Sequence, residues 1–393
     1  MANDLSAAMN TILARSAKHL SKTLLLPRFC AKDYSPDPAN VGDTINVPHY
    51  ADIDAVAVSP SATPLTSTDS TPTTMPLKID KWYQTSFNIT DKQLGEVKFK
   101  DDFLPKQMIK AVDGLGRQVS ADMWQNYKGF YGFAGAAGTT PFGTDEQEGI
   151  DLGTILTNQL APKAGRVAII DTVAEAKARK LAAFRDAAAA ASSSVIIEGQ
   201  LGRKLGFDWY QDHDVPRHTA GTITTGLTCK AATVVTVPAN QRKTQTIVMT
   251  TAASTGACAL KKGDIITISN QASGSTFVVQ ADATQALANS DVSVTIYPCI
   301  NTALAGGETV AVKASHRVNL GFVPGAIQLV SRPTLVTEVD RLIAPIETWL
   351  DPVTGLALTL EVVRQNAQTV WVFRCLYGSG VVQPELGCRL AGI

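Results

Sequence analysis

Asp212, His213, Asp214 and His218 are the one compact group in this sequence whose side chains have the chemistry of metal ligands. Carboxylate oxygens combined with imidazole nitrogens suit zinc or manganese. The group lacks a second pair of ligands borne on a helix, and it occupies the turn Asp212-His213-Asp214-Val215-Pro216 at the exit of a strand-like run. Solvated charges ordinarily lie in such turns, so the reading is a solvated turn rather than a metal centre. Gly132, Gly135 and Gly138 have a spacing that a phosphate loop could use. A phosphate cradle needs backbone amides that open a helix. No strand is expected before these glycines and no Lys-Ser/Thr follows them, so a flexible loop after a helix is expected. Lys262-Gly263-Asp264 reads as a turn between strands. No Gly-x-Ser-x-Gly elbow and no His-Glu-x-x-His occurs, and the 5 histidines are scattered without a nucleophile nearby. The sequence therefore assigns no catalytic, cofactor-binding or metal residue, and the chain reads as non-enzymatic.

Composition narrows the classes further. The 393 residues carry 35 Lys+Arg against 35 Asp+Glu, for zero net charge, with 18% charged and 45% apolar residues. That excludes a disordered tail protein, a basic nucleic-acid coat and a polyanion mimic. Such a length allows about two to three domains of ~150 residues. The 6 cysteines (Cys30, Cys229, Cys258, Cys299, Cys375, Cys388) lack any Cys-x-x-Cys spacing and read as buried thiols of a reducing compartment. No early segment resembles a signal peptide, because Asp4 interrupts the start and Leu24-Leu25-Leu26-Pro27 is too short. No run reaches the ~18 apolar residues of a membrane span. A soluble protein made in a cytoplasm is expected.

The elements that would position these residues follow from periodicity. Leu5, Met9, Ile12, Leu13, Leu20 and Leu24 fit an amphipathic helix that docks on protein. Val41–Tyr50 and Leu77–Thr90 read as strands flanking a polar tip rich in Ser, Thr and Pro over residues 51–76. That pattern describes a long projecting hairpin, or else an interdomain linker. Over 102–131 the residues Leu104, Met108, Val112, Leu115, Val119, Met123, Tyr127 and Phe130 recur at steps of three or four, the strongest helix signal in the chain. Asp101 or Asp102 would cap this helix, and Gly114 and Gly116 imply one that is kinked or must bend. A short helix over Asp151–Leu160 and a buried strand over Arg166–Ile170 follow. Thr172 and Glu175 then form a capping box for a helix through Leu181, Phe184 and Ala188, and Gly206–Tyr210 is a strand.

Residues 222–313 change character. Thr233–Val237, Gln245–Thr250, Asp264–Ser269, Thr276–Gln280, Val292–Tyr297 and Glu308–Lys313 are short Thr/Val/Ile-rich runs separated by polar turns. They describe a small barrel or sandwich inserted into a loop of a larger domain. Val318–Leu335, Leu356–Arg364 and Thr369–Tyr377 supply further strands.

Three stretches carry a resemblance. Gly202-Arg203-Lys204-Leu205-Gly206-Phe207-Asp208-Trp209-Tyr210, with Val215-Pro216 after it, resembles the strand and turn leading to the central domain of tailed-bacteriophage major capsid proteins with the HK97-type fold. Asn319-Leu320-Gly321-Phe322-Val323-Pro324-Gly325-Ala326-Ile327 resembles that family's return strand and helix. Tyr377-Gly378, then Val381-Val382-Gln383-Pro384-Glu385-Leu386, resembles its C-terminal strand ending. The block at 222–313, with Leu260-Lys261-Lys262-Gly263-Asp264-Ile265-Ile266, looks like the inserted domain of P22-type coat proteins.

The resemblance implies an α+β, HK97-like capsid fold with an inserted small all-β barrel. Its parts would be an N-terminal arm (1–40), an extended loop (41–90) and a spine helix region (91–148). A peripheral and axial α/β region (149–220), the inserted barrel (221–314), and the axial domain with C-terminal strands (315–393) would follow. The implied function is self-assembly, as hexamers and pentamers, into the icosahedral shell around double-stranded DNA. The implied partners are further copies of the chain, a scaffolding protein, a portal protein and packaged DNA bound without sequence specificity, with no membrane and no cofactor. The implied location is the virion, after synthesis in the host cytoplasm. Some relatives crosslink subunits through a Lys–Asn bond promoted by a glutamate, but no local motif here matches, so no crosslinking residue is assigned. Zero net charge suits such a wall, since tight wall binding would hinder packaging and ejection. Two other readings stay open: a metal-dependent hydrolase with a β accessory domain using Asp212–His218, and a phage tail or decoration protein.

Overall fold

The computed structural model describes residues 5–34, 37–49, 73–92, 103–185, 201–222, 226–230, 237, 242–251, 258–285, 291–336 and 344–393. They fall into two compact units: Met1–Leu24, Lys32–Gly116 and Gln328–Val382 form the first, and Leu25–Ala31, Arg117–Ile327 and Gln383–Ile393 the second.

The first unit is built on a sheet in which Ala31–Tyr34, Ile327–Ser331, Gln368–Val381, Ala357–Gln365 and Ile346–Leu350 lie side by side, with Lys81–Thr90 also paired to Gln368–Val381. The long central strand holds that register from Gln368↔Thr90 to Tyr377↔Lys81. Phe373, Cys375, Leu376 and Tyr377 are buried there, while Lys81–Thr90 alternates half-buried and exposed residues. That alternation marks a sheet with one solvated face. The helix Leu5–Thr23 buries Leu13, Ala17 and Leu20 and packs on the strands Ile346–Leu350 and Ala357–Gln365. Among the described residues no helix is long and apolar enough to cross a membrane. Thr44–His49 pairs antiparallel with Thr73–Lys78, so both flanks of the Pro-rich segment are strands in register. Residues 50–72, most of the expected tip, lie outside the described residues. The second strand begins at Thr73 rather than Leu77, and Met75-Pro76 belongs to the ladder. A two-stranded ribbon leaves each strand one unpaired edge, so it accepts Pro48 and Pro76. The expected strand Leu77–Thr90 is two strands. They part at Ile79-Asp80, where buried Ile79 exchanges backbone hydrogen bonds with Gly42 and Asp43 instead of continuing the ladder.

The long helix runs from Phe103 to Trp124 and tightens into a 3-10 turn over Gln125–Gly129, shorter than the expected 102–131. Its stripe is as expected: Met108, Val112, Leu115, Val119, Met123, Tyr127 and Phe130 are all buried. Asp101 and Asp102, the expected caps, lie outside the described residues. The helix continues through Gly114 and Gly116. A Cβ at position 116 would come within 2.9 Å of Leu20 Cδ1, so close packing against the first helix accounts for that glycine.

In the second unit the strands Gly132–Ala134, Gly387–Gly392, His316–Phe322, Val167–Ile170, Phe207–Gln211 and Gly202–Lys204 form one mixed sheet, in that order. Gly132 is therefore in a strand, parallel to Gly387–Gly392, not in a flexible loop. A Cβ there would lie 2.7 Å from Gln159 Nε2 and 3.0 Å from Cys388 Sγ, so the glycine permits a close approach that spacing alone does not reveal. The helix Gln147–Asn158 and Thr172–Ala178 cover a core of Phe142, Leu152, Ile170, Phe184, Phe207 and Trp209. The cap of Thr172–Ala178 is Asp171, whose carboxylate accepts from Ala174 N at 3.1 Å, so Thr172 is already inside the helix. A separate short helix, Ala182–Arg185, carries Phe184; Ala188 lies outside the described residues. The strands expected within Val318–Leu335 are His316–Phe322 and Ile327–Ser331, joined by a turn at Pro324-Gly325, where Gly325 takes φ +108°, and the helix that the resemblance implied at that point is absent.

The insert closes as a six-stranded barrel in the order Leu227–Cys229, Gln245–Thr251, Val292–Tyr297, Phe277–Val279, Ile265–Ile268 and Thr309–Val312. Ile247, Met249, Ile266, Phe277, Val294 and Ile296 fill it. Closure removes exposed edges from strands only three to seven residues long. Of the expected strand Thr233–Val237, residues 233–236 lie outside the described residues, and the first described barrel strand is Leu227–Cys229. Cys30, Cys229, Cys299, Cys375 and Cys388 are buried thiols.

Candidate functional site

The residues singled out for metal chemistry separate. Asp212, His213 and Asp214 stay together at the end of Phe207–Gln211. Asp212 is buried, and its Oδ2 accepts from Trp124 Nε1 at 3.1 Å while its Oδ1 accepts from Asp214 N at 3.0 Å. It thereby fastens the end of the long helix to the sheet. His213 is 74% exposed and reaches Asp214 Oδ1 at 3.2 Å. His218 leaves this group and enters the interior at the root of the barrel.

There it forms a buried chain. His218 Nε2 donates to Asp264 Oδ1 at 2.8 Å, and the Tyr127 hydroxyl is hydrogen-bonded with His218 Nδ1 at 3.0 Å. A carboxylate can only accept, so the hydrogen of the contact with Asp264 is on Nε2. Asp264 is fully buried and is further held by Gly221 N at 3.1 Å and Lys261 N at 2.7 Å. A buried charge is tolerated only when it is this fully hydrogen-bonded. The site joins the 3-10 turn after the long helix, the chain entering the barrel at Gly221 and the barrel turn at Asp264. Gly221 is obligatory at this point, because a Cβ would overlap the Ala259 carbonyl.

Arg389 completes the hub. It is fully buried on the C-terminal strand, its Nη1 donates to Gly263 O at 2.7 Å, and its guanidinium lies 5.1 Å from the Tyr127 ring centroid. Burial lowers its pKa to about 10, against the opposing pull of Tyr127 and Asp264. Burial raises the Tyr127 pKa, with Arg389 acting against it and Asp264 with it, so the phenol keeps its proton. Beside them His316, 0% exposed, donates Nδ1–H to the Ala314 carbonyl at 2.8 Å and meets Phe133 edge-on. Burial lowers its pKa to about 4, the Ala314 hydrogen bond opposing, so it is neutral in the folded chain. Together these groups make a structural junction: Asp264 is held by three N–H donors and Tyr127 meets His218, while among the described residues Arg389 Nε and Nη2 and His316 Nε2 are buried without a hydrogen-bond partner.

Sequence reading treated Lys262-Gly263-Asp264 as an ordinary turn and passed over Arg389 and His316. One signal was present. Arg389 interrupts the otherwise uncharged run Gly387-Cys388-Arg389-Leu390-Ala391-Gly392, and a charge inside an apolar strand is rarely buried unless paired.

On the first unit, a 470 Å³ cavity is lined by Ala39, Val41, Trp82, Leu335, Ile346 and Glu361 among others. Val41, Trp82 and Leu335 are each at least half exposed. Exposed apolar residues gathered this way mark interaction surfaces.

No family model and no curated protein matches the sequence. Solved structures do match. The capsid structure of cyanophage P-SCSP1u aligns with a TM-score of 0.50 at 10% identity, covering 94% of this chain and 88% of that one. The mature capsid of bacteriophage PhiM1 aligns at 0.46 and 10% identity over 94% of this chain and 86% of that chain. The capsid of a native GTA particle aligns at 0.46 and 10% identity over 95% and 90%. The cyanophage alignment spans both units, and this chain has that phage capsid fold: α+β, HK97-like, with a closed six-stranded barrel inserted.

Proposed function

We propose that this chain is the major capsid protein of a tailed bacteriophage, assembling into the icosahedral shell that encloses its double-stranded DNA. The observation that carries the reading is the capsid fold extending over nearly the whole chain. In this reading residues 1–40 are the N-terminal arm, 41–90 the extended loop, 91–148 the spine helix region, 149–220 the peripheral and axial region, 221–314 the inserted domain, and 315–393 the axial domain with the C-terminal strands. The hairpin Thr44–His49/Thr73–Lys78 carries the extended loop toward a neighbouring subunit. The chain acts structurally and not as an enzyme. It pairs with copies of itself in hexamers and pentamers, is guided by scaffolding and portal proteins, and faces DNA without reading its sequence. It ends in the virion after synthesis in the host cytoplasm.

Electron microscopy of the purified, expressed protein tests this directly. Closed shells or polyheads are expected. Monodisperse small particles under all assembly conditions would overturn the reading, and rings or trimers would indicate a tail or decoration protein.

A further inference from the structure

Above the hub the second unit opens into a cavity of about 730 Å³ whose charge is one-sided. Lys128, Arg217, Lys261 and Lys262 line it, and the sole carboxylate among its lining residues is Asp282. Asp282 Oδ1 already accepts from the Lys262 backbone N–H at 2.7 Å. None of the four cations is within ion-pair distance of a carboxylate among the described residues; Lys128 lies only over the Tyr127 ring, at 5.9 Å. Asp264 lies beneath them, but its oxygens are engaged by His218, Gly221 and Lys261 N–H groups. Four like charges gathered in one concavity repel one another and raise the local concentration of anions. Their placement is explained by an anion arriving from outside the subunit.

The same unit carries the complementary feature. Asp145, Glu146, Glu148 and Asp151 fall within seven residues at the start of the helix Gln147–Asn158. They accept hydrogen bonds from Gln147 and Phe142, yet none pairs with a cation among the described residues. None of the four lines the cavity. Ile150 stands beside them, 44% exposed. A chain of zero net charge that leaves four cations unmatched in one place and four carboxylates unmatched in another is complementary to itself. A contact between two different patches is heterologous, and such contacts close rings when the rotation closes.

We infer that the basic cavity receives the acidic run Asp145–Asp151 of a neighbouring copy of this chain. The inference deepens the capsid reading and rests on it, naming the charged contact by which subunits recognise one another. Duplex DNA is the weaker occupant, since backbone phosphates are tracked by a stripe of cations, and these converge on a single cavity walled by a carboxylate.

Charge exchange tests it. Lys261→Glu with Lys262→Glu, and separately Asp145→Lys with Glu146→Lys, should leave circular dichroism and melting unchanged while slowing assembly roughly tenfold or more. The quadruple variant should recover most of that loss. Wild-type assembly rates in either pair, or no recovery in the quadruple variant, would overturn the inference. Loss of duplex-DNA binding by Lys261→Glu/Lys262→Glu with assembly intact would overturn it in favour of nucleic acid. A second measurement does not need closed shells: carbodiimide coupling in mixed 14N- and 15N-labelled protein should join a heavy peptide containing Lys261 or Lys262 to a light one containing residues 145–151. If no shells form but that heavy–light product appears, the capsid reading falls and the contact stands. Absence of the product in associated protein removes the contact.

Discussion

His316 holds the chain's clearest pH dependence. Its pKa falls from 6.5 to about 4 because burial penalises the imidazolium, with Arg389 and His218 acting in the same direction, and the Ala314 hydrogen bond and Asp264 against it. Between those values the unfolded chain binds a proton that the folded chain refuses. Stability is therefore complete above about pH 6.5, declines as pH falls, and stops declining through this group near pH 4. The linked loss is on the order of 3 kcal/mol. His316→Asn keeps a donor near the Ala314 carbonyl and removes the titration. Urea melts of that variant should show a smaller drop between pH 7 and pH 4.5 than wild type; an unchanged drop would place the acid sensitivity elsewhere. The hub shows how much one residue's neighbours decide: His213 and His218 are near in sequence, yet one is 74% exposed and the other 3%.

Within the long helix, the two glycines have different reasons. A Cβ at Gly114 would find Thr85 Oγ1 at 3.7 Å, an ordinary contact, whereas at Gly116 it would press on buried Leu20. Gly114→Ala should stabilise by up to about 1 kcal/mol through helix propensity. Gly116→Ala should lose about 1 kcal/mol as Leu20 is displaced. Equal stabilisation by both in chemical melts would show that Leu20 yields freely and that packing is not the reason for Gly116. The hairpin raises a different question for the same scale. His49↔Thr73 closes its ladder, so replacing residues 50–72 with a two-residue turn leaves the register intact. The shortened chain should melt within a few degrees of wild type and fail to close shells. A collapse of its circular dichroism would instead put residues 50–72 inside the subunit core.

Across the whole molecule, neutrality hides polarity. The 35 positive and 35 negative side chains cancel in sum, while the cavity with Lys128, Arg217, Lys261 and Lys262 and the run Asp145–Asp151 stay unmatched. Net charge thus constrains solubility and bulk association, and only its distribution bears on recognition. The barrel illustrates a second division of labour. Its core of Ile247, Met249, Phe277, Val294 and Ile296 is its own, while Ile265, Val278 and Tyr297 face outward to meet Phe133 and Ala391 of the adjoining sheet.

The sequence by itself determined what depends on neighbours along the chain. The stripe from Met108 to Phe130, the alternation of Lys81–Thr90, and the short β-branched runs at Gln245–Thr250 and Val292–Tyr297 are local patterns with periods of 3.6 and 2, and each became the element its period demands. Element order then carried the capsid resemblance. What the tertiary structure alone decided depends on approach between distant residues. Asp171 rather than Thr172 caps a helix because of where one carboxylate reaches. Gly132 became part of a strand because Gly387–Gly392 lies beside it, with Cys388 as its partner in the register. Tyr127, His218, Asp264 and Arg389 come together from four separate segments, and no spacing rule links positions so far apart. Their meeting follows from desolvation: a buried polar group gains by finding a partner, and here Tyr127, His218 and Asp264 find one another while Arg389 donates Nη1–H to the Gly263 carbonyl.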